Sequence, residues 1–184
     1  MKKQISYFLV TTQLFNQEAN SKNVIFLNEF SKTYNSIEKD QKKNITIDHP
    51  WINEKKKHRD ERYVEKLSYL VFNKLYKKLN ELHKVKKDKK YWEILLIFWI
   101  YNYISFNLEK WRCVEKLLLL FDKNRLSSAS INLKKDIEIE NTSNFFEIWG
   151  TDLYNHLIIQ KILKFNNFKN FINQKYKKKD FPKN

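Results

Sequence analysis

Four histidines, His49, His58, His83 and His156, are the side chains of this 184-residue chain best suited to moving a proton near neutral pH. His49 and His58 stand in a polar segment with Trp51, Arg59, Asp60 and Glu61, the densest group of titratable side chains in an expected loop. A histidine beside carboxylates can act as a general base, taking the proton from an attacking hydroxyl. The same segment also suits a plainer role, because Asp60 and Glu61 would complement the dipole at a helix start. Asn80 and His83 are three residues apart on one helical face, and Asp152, Asn155 and His156 have similar spacing. Either set can orient a substrate hydroxyl, cap a helix or bond between helices. Tyr91, Trp92, Trp99, Tyr101, Tyr103 and Trp111 suit a stacking platform for sugars or bases, and equally the core of a helical layer.

Other chemistries are excluded by what the sequence lacks. There is no HExxH, no CxxC pair and no GxSxG elbow. Gly150 is the one glycine, so neither a GxGxxG fingerprint nor a P-loop exists to cradle phosphates. Cys113 is the one cysteine, which rules out an intramolecular disulfide and a cysteine-based zinc site within one chain. It reads as a small core residue, and this usage fits a reducing compartment such as the cytoplasm. No metal site and no cofactor site is expected in the chain itself.

The elements that must position these residues follow from hydrophobic patterning. Residues 5–10 and 23–27 are short apolar runs that suit buried strands of a parallel sheet, and Thr11–Thr12 close the first. Residues 28–44 are polar and open with a short helix or turn; residues 45–47 suit a third strand. His49–Pro50–Trp51 turns the chain, since the residue before proline is pushed out of the helical region. Residues 60–84 read as a long helix with Val64, Leu67, Val71, Leu75, Leu79 and Leu82 along its apolar face. A lysine-rich connection follows at 84–90, then a long helix or a broken pair at 91–122. Residues 126–140 carry a weak strand signal, including 137–139, and residues 144–165 resume helical spacing. The reading is therefore α/β and helix-rich: a small, mostly parallel, Rossmann-like sheet with long covering helices. Its boundaries are a domain over 1–165 and a basic, frayed tail over 166–184.

The formal charge is +15, which suits a nucleic acid, an anionic membrane surface or a polyanionic substrate. Only four of the 36 basic residues are arginine, the side chain that base readers favour, so a solvated lysine surface accounts for much of the charge. The apolar stretch from Ile94 to Phe106 is shorter than the about 20 residues a spanning helix needs and suits a core helix. Its flanking lysines and aromatics suit peripheral contact with anionic lipid, at the inner face of a membrane.

Taken in order, several segments resemble one transferase family of bacterial surface-polysaccharide gene clusters. Tyr7-Phe8-Leu9-Val10-Thr11-Thr12 resembles its opening strand. Phe26-Leu27-Asn28-Glu29-Phe30 is similar to its Leu-Gly-Glu-Trp segment, with Asn28 in place of the glycine. His49, Trp51, Arg59 and Asp60 resemble its polar stretch. Tyr69-Leu70, Leu79-Asn80 and His83 resemble its "YL…LN..H" helix, and Tyr91-Trp92-Glu93-Ile94 with Trp99 its "RYWRI…GPW" signature. Glu109-Lys110-Trp111 echoes its Asp-Arg-aromatic triplet. Asp152, Asn155 and His156 resemble its "D.WNH" element. Glu93 reverses the family's arginine, and Ile97-Phe98 replace its Gly-Pro.

The resemblance implies an acceptor-side domain of a glycosyl- or glycerophosphoryl-type transferase in cell-envelope carbohydrate synthesis, acting in the cytoplasm. Glu29, His49, Asp60 and His83 are then the expected acceptor-binding or general-base residues, and Arg59, Asn80, Trp92, Asp152, Asn155 and His156 the expected substrate-binding set. The family's proteins are much longer, and their C-terminal half is similar to glycerophosphotransferases that use CDP-glycerol. The resemblance thus implies an incomplete two-domain transferase, inactive alone, whose nucleotide-activated donor is bound only with the missing half or a separate chain. Its other partner is a carbohydrate or polyol-phosphate acceptor. A basic nucleic-acid-binding module is the alternative.

Overall fold

The computed structural model describes residues 6–15, 23–32, 44–132 and 142–174. The chain divides into two compact units, Met1–His49 with Lys110–Asn184, and Pro50–Glu109. The first is built on five strands: β1 (Tyr7–Val10), β2 (Asn23–Phe26), β3 (Asn44–Thr46), β4 (Leu126–Ile131) and β5 (Phe171–Gln174). All pair in parallel, in the order β3-β2-β1-β4-β5. Helix-rich α/β architecture with a small parallel sheet, as the apolar runs predict, is what forms.

Parallel strands covered on both faces read as continuous apolar runs, and alternate residues feed separate cores. Leu9, Ile25 and Leu27 join one core with Cys113, Val114, Leu117, Ile159 and Leu163. Phe8, Val10, Val24 and Phe26 join the other with Phe15, Ala129 and Leu153. Each full burial of such a side chain contributes about 1.5–3 kcal/mol. Cys113 is a buried thiol outside any disulfide, the core role its neighbours predict.

The helices are α1 (Glu54–Leu82), α2 (Lys89–Leu120), α3 (Thr142–Trp149) and α4 (Asp152–Phe165). Asn53 caps α1 by accepting a hydrogen bond from Lys56 N at 3.1 Å. Helix α2 is unbroken, with residues up to Glu109 in the second unit and those from Lys110 in the first. Helical spacing over 144–165 resolves into two helices, because Thr151 caps α4 by accepting from Tyr154 N.

Two expectations change. The buried stripe of α1 is Asp60, Val64, Ser68 and Phe72, whereas Val71, Leu75 and Leu82 are exposed. Polar residues enter that stripe because each is satisfied: Trp51 Nε1 donates to Asp60 at 3.1 Å, and Ser68 Oγ donates to Val64 O at 2.7 Å. Residues 166–174, assigned to a frayed tail, instead make a turn and a strand. Asn167 adopts φ 59°, and its N–H and that of Phe168 donate to Lys164 O and Leu163 O. This is a Schellman turn, with Phe168 folded back into the Leu163 core and the chain aimed into β5. The expected strand at 137–139 lies outside the described residues.

Candidate functional site

In an open parallel sheet the strands' carboxyl ends gather at one edge, and a crevice forms where the strand order reverses. Here the order reverses between β1 and β4. Thr11 and Thr12 follow β1 directly, and both are buried. Helix α4 is latched to this position by two side chains one turn apart. His156 Nδ1 is 2.7 Å from Thr11 Oγ1. Gln160 Oε1 accepts from Ile131 N at 3.1 Å while its Nε2 donates to Ser130 Oγ at 3.1 Å, so it terminates β4.

His156 is fully buried, at 0% exposure, and the Phe15 ring lies 4.5 Å from its own. Burial drives its pKa down to about 4, with Gln160 opposing the shift in part. The imidazole is therefore neutral at pH 7. If Nδ1 carries the proton and donates to Thr11 Oγ1, Nε2 is left as an acceptor. Among the described residues neither His156 Nε2 nor Thr12 Oγ1 has a hydrogen-bond partner of ordinary geometry, the neighbouring Gln160 amide being engaged with Ile131 and Ser130, although both atoms are buried. An unsatisfied buried polar atom costs about 1–3 kcal/mol, so two at one strand edge call for an explanation.

Around this point the edge is polar. Asn28 Oδ1 accepts from Ser31 N at 3.0 Å, and Ser31 Oγ lies 2.9 Å from Thr11 O and 3.0 Å from Asn28 Oδ1. Asn28 has φ −161°, an extended conformation open to any residue, so it replaces the glycine of the resembled segment without strain. Glu29, next along, is exposed and pairs with Lys32 at 2.9 Å. His49 follows β3 at the same edge, beside Asp48, whose carbonyl accepts from Lys116 Nζ at 2.8 Å. Thus Glu29, His49 and His156 of the expected set all stand on segments at the carboxyl edge of one sheet. Asp152 and Asn155 sit in the first turn of α4. Burial raises the Asp152 pKa above its ordinary value, and Asn155 Nδ2 donates to Thr151 O at 2.8 Å and Trp149 O at 3.2 Å.

The remaining expected residues belong to the other unit and have local partners. Asp60 is buried under Trp51, with exposed Arg59 at 3.9 Å. His83 caps the far end of the same helix. At 1.5 Å rise per residue the two are roughly 35 Å apart along α1, so they do not share a site. Asn80 and Trp92 are brought together, as a clamp: Trp92 Nε1 donates to Asn80 Oδ1 at 2.9 Å, and Asn80 holds both the N–H and the carbonyl of Lys87. Thr11, Thr12, Ser31 and Gln160 are residues that spacing did not single out. The available signal was Thr-Thr directly after the first apolar run, where the carboxyl end of a first strand falls.

Comparison with curated proteins and with solved structures gives no significant match. A family model described as LIC12162 family transferase matches residues 7–184. That span takes in every strand and helix above, including β5 and the whole carboxyl edge. The chain belongs to the LIC12162 transferase family.

Proposed function

We propose that this chain supplies the acceptor side of a glycosyl- or glycerophosphoryl-type transferase of cell-surface carbohydrate synthesis, with the acceptor hydroxyl received at the carboxyl edge between β1 and β4. The observation that carries the reading is the pair of unpartnered buried atoms there, His156 Nε2 and Thr12 Oγ1. A hydroxyl is the group that can serve both, donating to an imidazole nitrogen and accepting from a threonine. In the transfer step the acceptor O–H bond breaks and its proton passes to Nε2. The oxygen bonds to the donor's anomeric carbon or phosphorus, and the donor's bond to its nucleotide phosphate breaks. A base of pKa about 4 is weak; the negative charge of an arriving donor phosphate would raise it. His156 Nε2 and Thr12 Oγ1 are both buried, so the edge must open to admit the hydroxyl. Glu29 and His49 stand on segments at the same carboxyl edge, and the donor's phosphates are held by something other than a glycine-rich loop of this chain.

Thermal melts of the full chain test this. Polyol phosphates or neutral glycans should raise the melting temperature by mass action, and Thr12→Val should remove most of that rise. A rise with a short RNA and none with any acceptor would overturn the reading. It would favour the nucleic-acid alternative, for which four arginines in 36 basic residues are poor support.

A further inference from the structure

The tip of the α1–α2 hairpin carries a feature that the transferase reading does not use. Lys84, Lys86 and Lys87 crowd the connection between the helices, which holds one acid, Asp88, and Lys89 and Lys90 open α2, where Lys90 lies 3.8 Å from Glu93. Directly beside it Leu82 is 74% exposed, and Tyr91, Ile94, Leu95 and Phe98 are exposed as well. Residues 91, 94, 95 and 98 follow helical spacing, so they form one stripe along the first turns of α2. Large apolar side chains gathered on one solvent face, with cations at the rim, are the observation to explain.

The connection is built as a fixed shape. Val85 N donates to Asn80 O and Lys84 N to Glu81 O, a Schellman turn with Lys84 at φ 53°. Asn80 then grips Lys87 through both backbone groups, and Asp88 Oδ1 accepts from Tyr91 N at 2.7 Å to start α2. The Lys87 ammonium lies 5.0 Å from the centre of the Tyr91 ring. A lysine therefore occupies the left-handed position that glycine would fill with least strain.

We infer that this tip is a docking surface for an anionic phospholipid bilayer. The lysines meet the phosphates, and Leu82, Ile94, Leu95 and Phe98 enter the interfacial layer. Charge complementarity selects this occupant: a protein partner has no need of five rim cations, and a nucleic acid has no use for an aliphatic stripe. The helices lie on the bilayer, since among the described residues no helix is long and apolar enough to cross one. Interfacial elements combine these two attractions. The inference is independent of the acceptor site and involves none of its residues.

Co-sedimentation of the full chain with vesicles checks it. Wild type should pellet with vesicles of phosphatidylcholine and phosphatidylglycerol in equal parts, and not with phosphatidylcholine alone. Lys86→Glu, Lys87→Glu and Lys89→Glu together should weaken binding at least about tenfold, while the matched reversal of Lys55, Lys56 and Lys57 changes it by less than about threefold. Ile94→Ser with Phe98→Ser should leave the charge and still lower binding about tenfold. Circular dichroism would confirm that each variant stays helical. Equal loss from the two lysine triplets would show a diffuse field and overturn the inference. So would unchanged binding of the Ile94/Phe98 variant, which would leave a patch that any polyanion, RNA included, could fill.

Discussion

The two orphan atoms at His156 and Thr12 make opposite predictions from ordinary polar residues. Replacing a satisfied threonine by valine costs stability, whereas Thr12→Val removes an unpaired hydroxyl and keeps the shape. The free protein should therefore melt at the same temperature or higher, and lose its response to acceptor. His156 also ties stability to pH. Its ring is neutral when folded, titrating at about 4, but takes up a proton near 6.5 when unfolded. Between those values the unfolded chain binds more protons, so stability is full above pH 6.5 and falls as the pH drops towards 4. The loss is roughly 3 kcal/mol. Urea titrations at intervals across that window should show the slope, and His156→Gln should flatten it. Asp152 works in the other sense, because burial holds its pKa up and its charge opposes folding at neutral pH. Asp152→Asn should stabilise the protein at pH 7 and have less effect in acid.

At the scale of elements, helix ends decide more than helix middles. Lys84 and Asn167 both sit in left-handed Schellman positions, φ 53° and 59°. Lys84→Gly should relieve strain and stabilise the hairpin by up to about 1 kcal/mol, read by chemical denaturation. Gly150, by contrast, has no positive φ, and a methyl there meets nothing within 4 Å. Gly150→Ala should therefore be tolerated, gaining about 0.4–1 kcal/mol by restricting the unfolded chain. Asn80 is the opposite case. It accepts from Trp92 and holds Lys87 by two bonds, so Asn80→Ala should cost about 1–3 kcal/mol and speed hydrogen exchange of Lys87 N–H.

For the whole molecule, the sheet must be closed at its β4 side by the chain's last described strand. Phe168 is buried in the main core, and β5 pairs with β4 over Ser128–Ile131. A protein ending at residue 165 would expose the β4 edge and the Phe168 pocket. It should lose its cooperative melt and aggregate, as unpaired apolar edges do. Among the described residues lysines dot the exposed face of α1, and the part of the +15 charge clustered at the hairpin tip is where it acquires a geometry.

The local patterns alone determine a good deal. Apolar runs over 5–10 and 23–27 suit buried strands, the periodicity over 60–84 suits a long helix and that over 91–122 a long helix or a broken pair, and a single glycine excludes a GxGxxG fingerprint and a P-loop. Tertiary structure decided what depends on distant partners. Asp60 and Ser68 occupy the buried stripe of α1 in place of Val71 and Leu75 because their polar atoms find bonds there, which periodicity cannot report. Phe171–Gln174 become a strand because β4 offers a free edge and Asn167 turns the chain towards it. His156 gained its place in the same way: at spacing alone it equals His83, but strand order puts one against Thr11 at the sheet's reversal point and leaves the other capping an exposed hairpin. Spacing ranks residues along one element, whereas burial and desolvation are set by what the other elements bring against them.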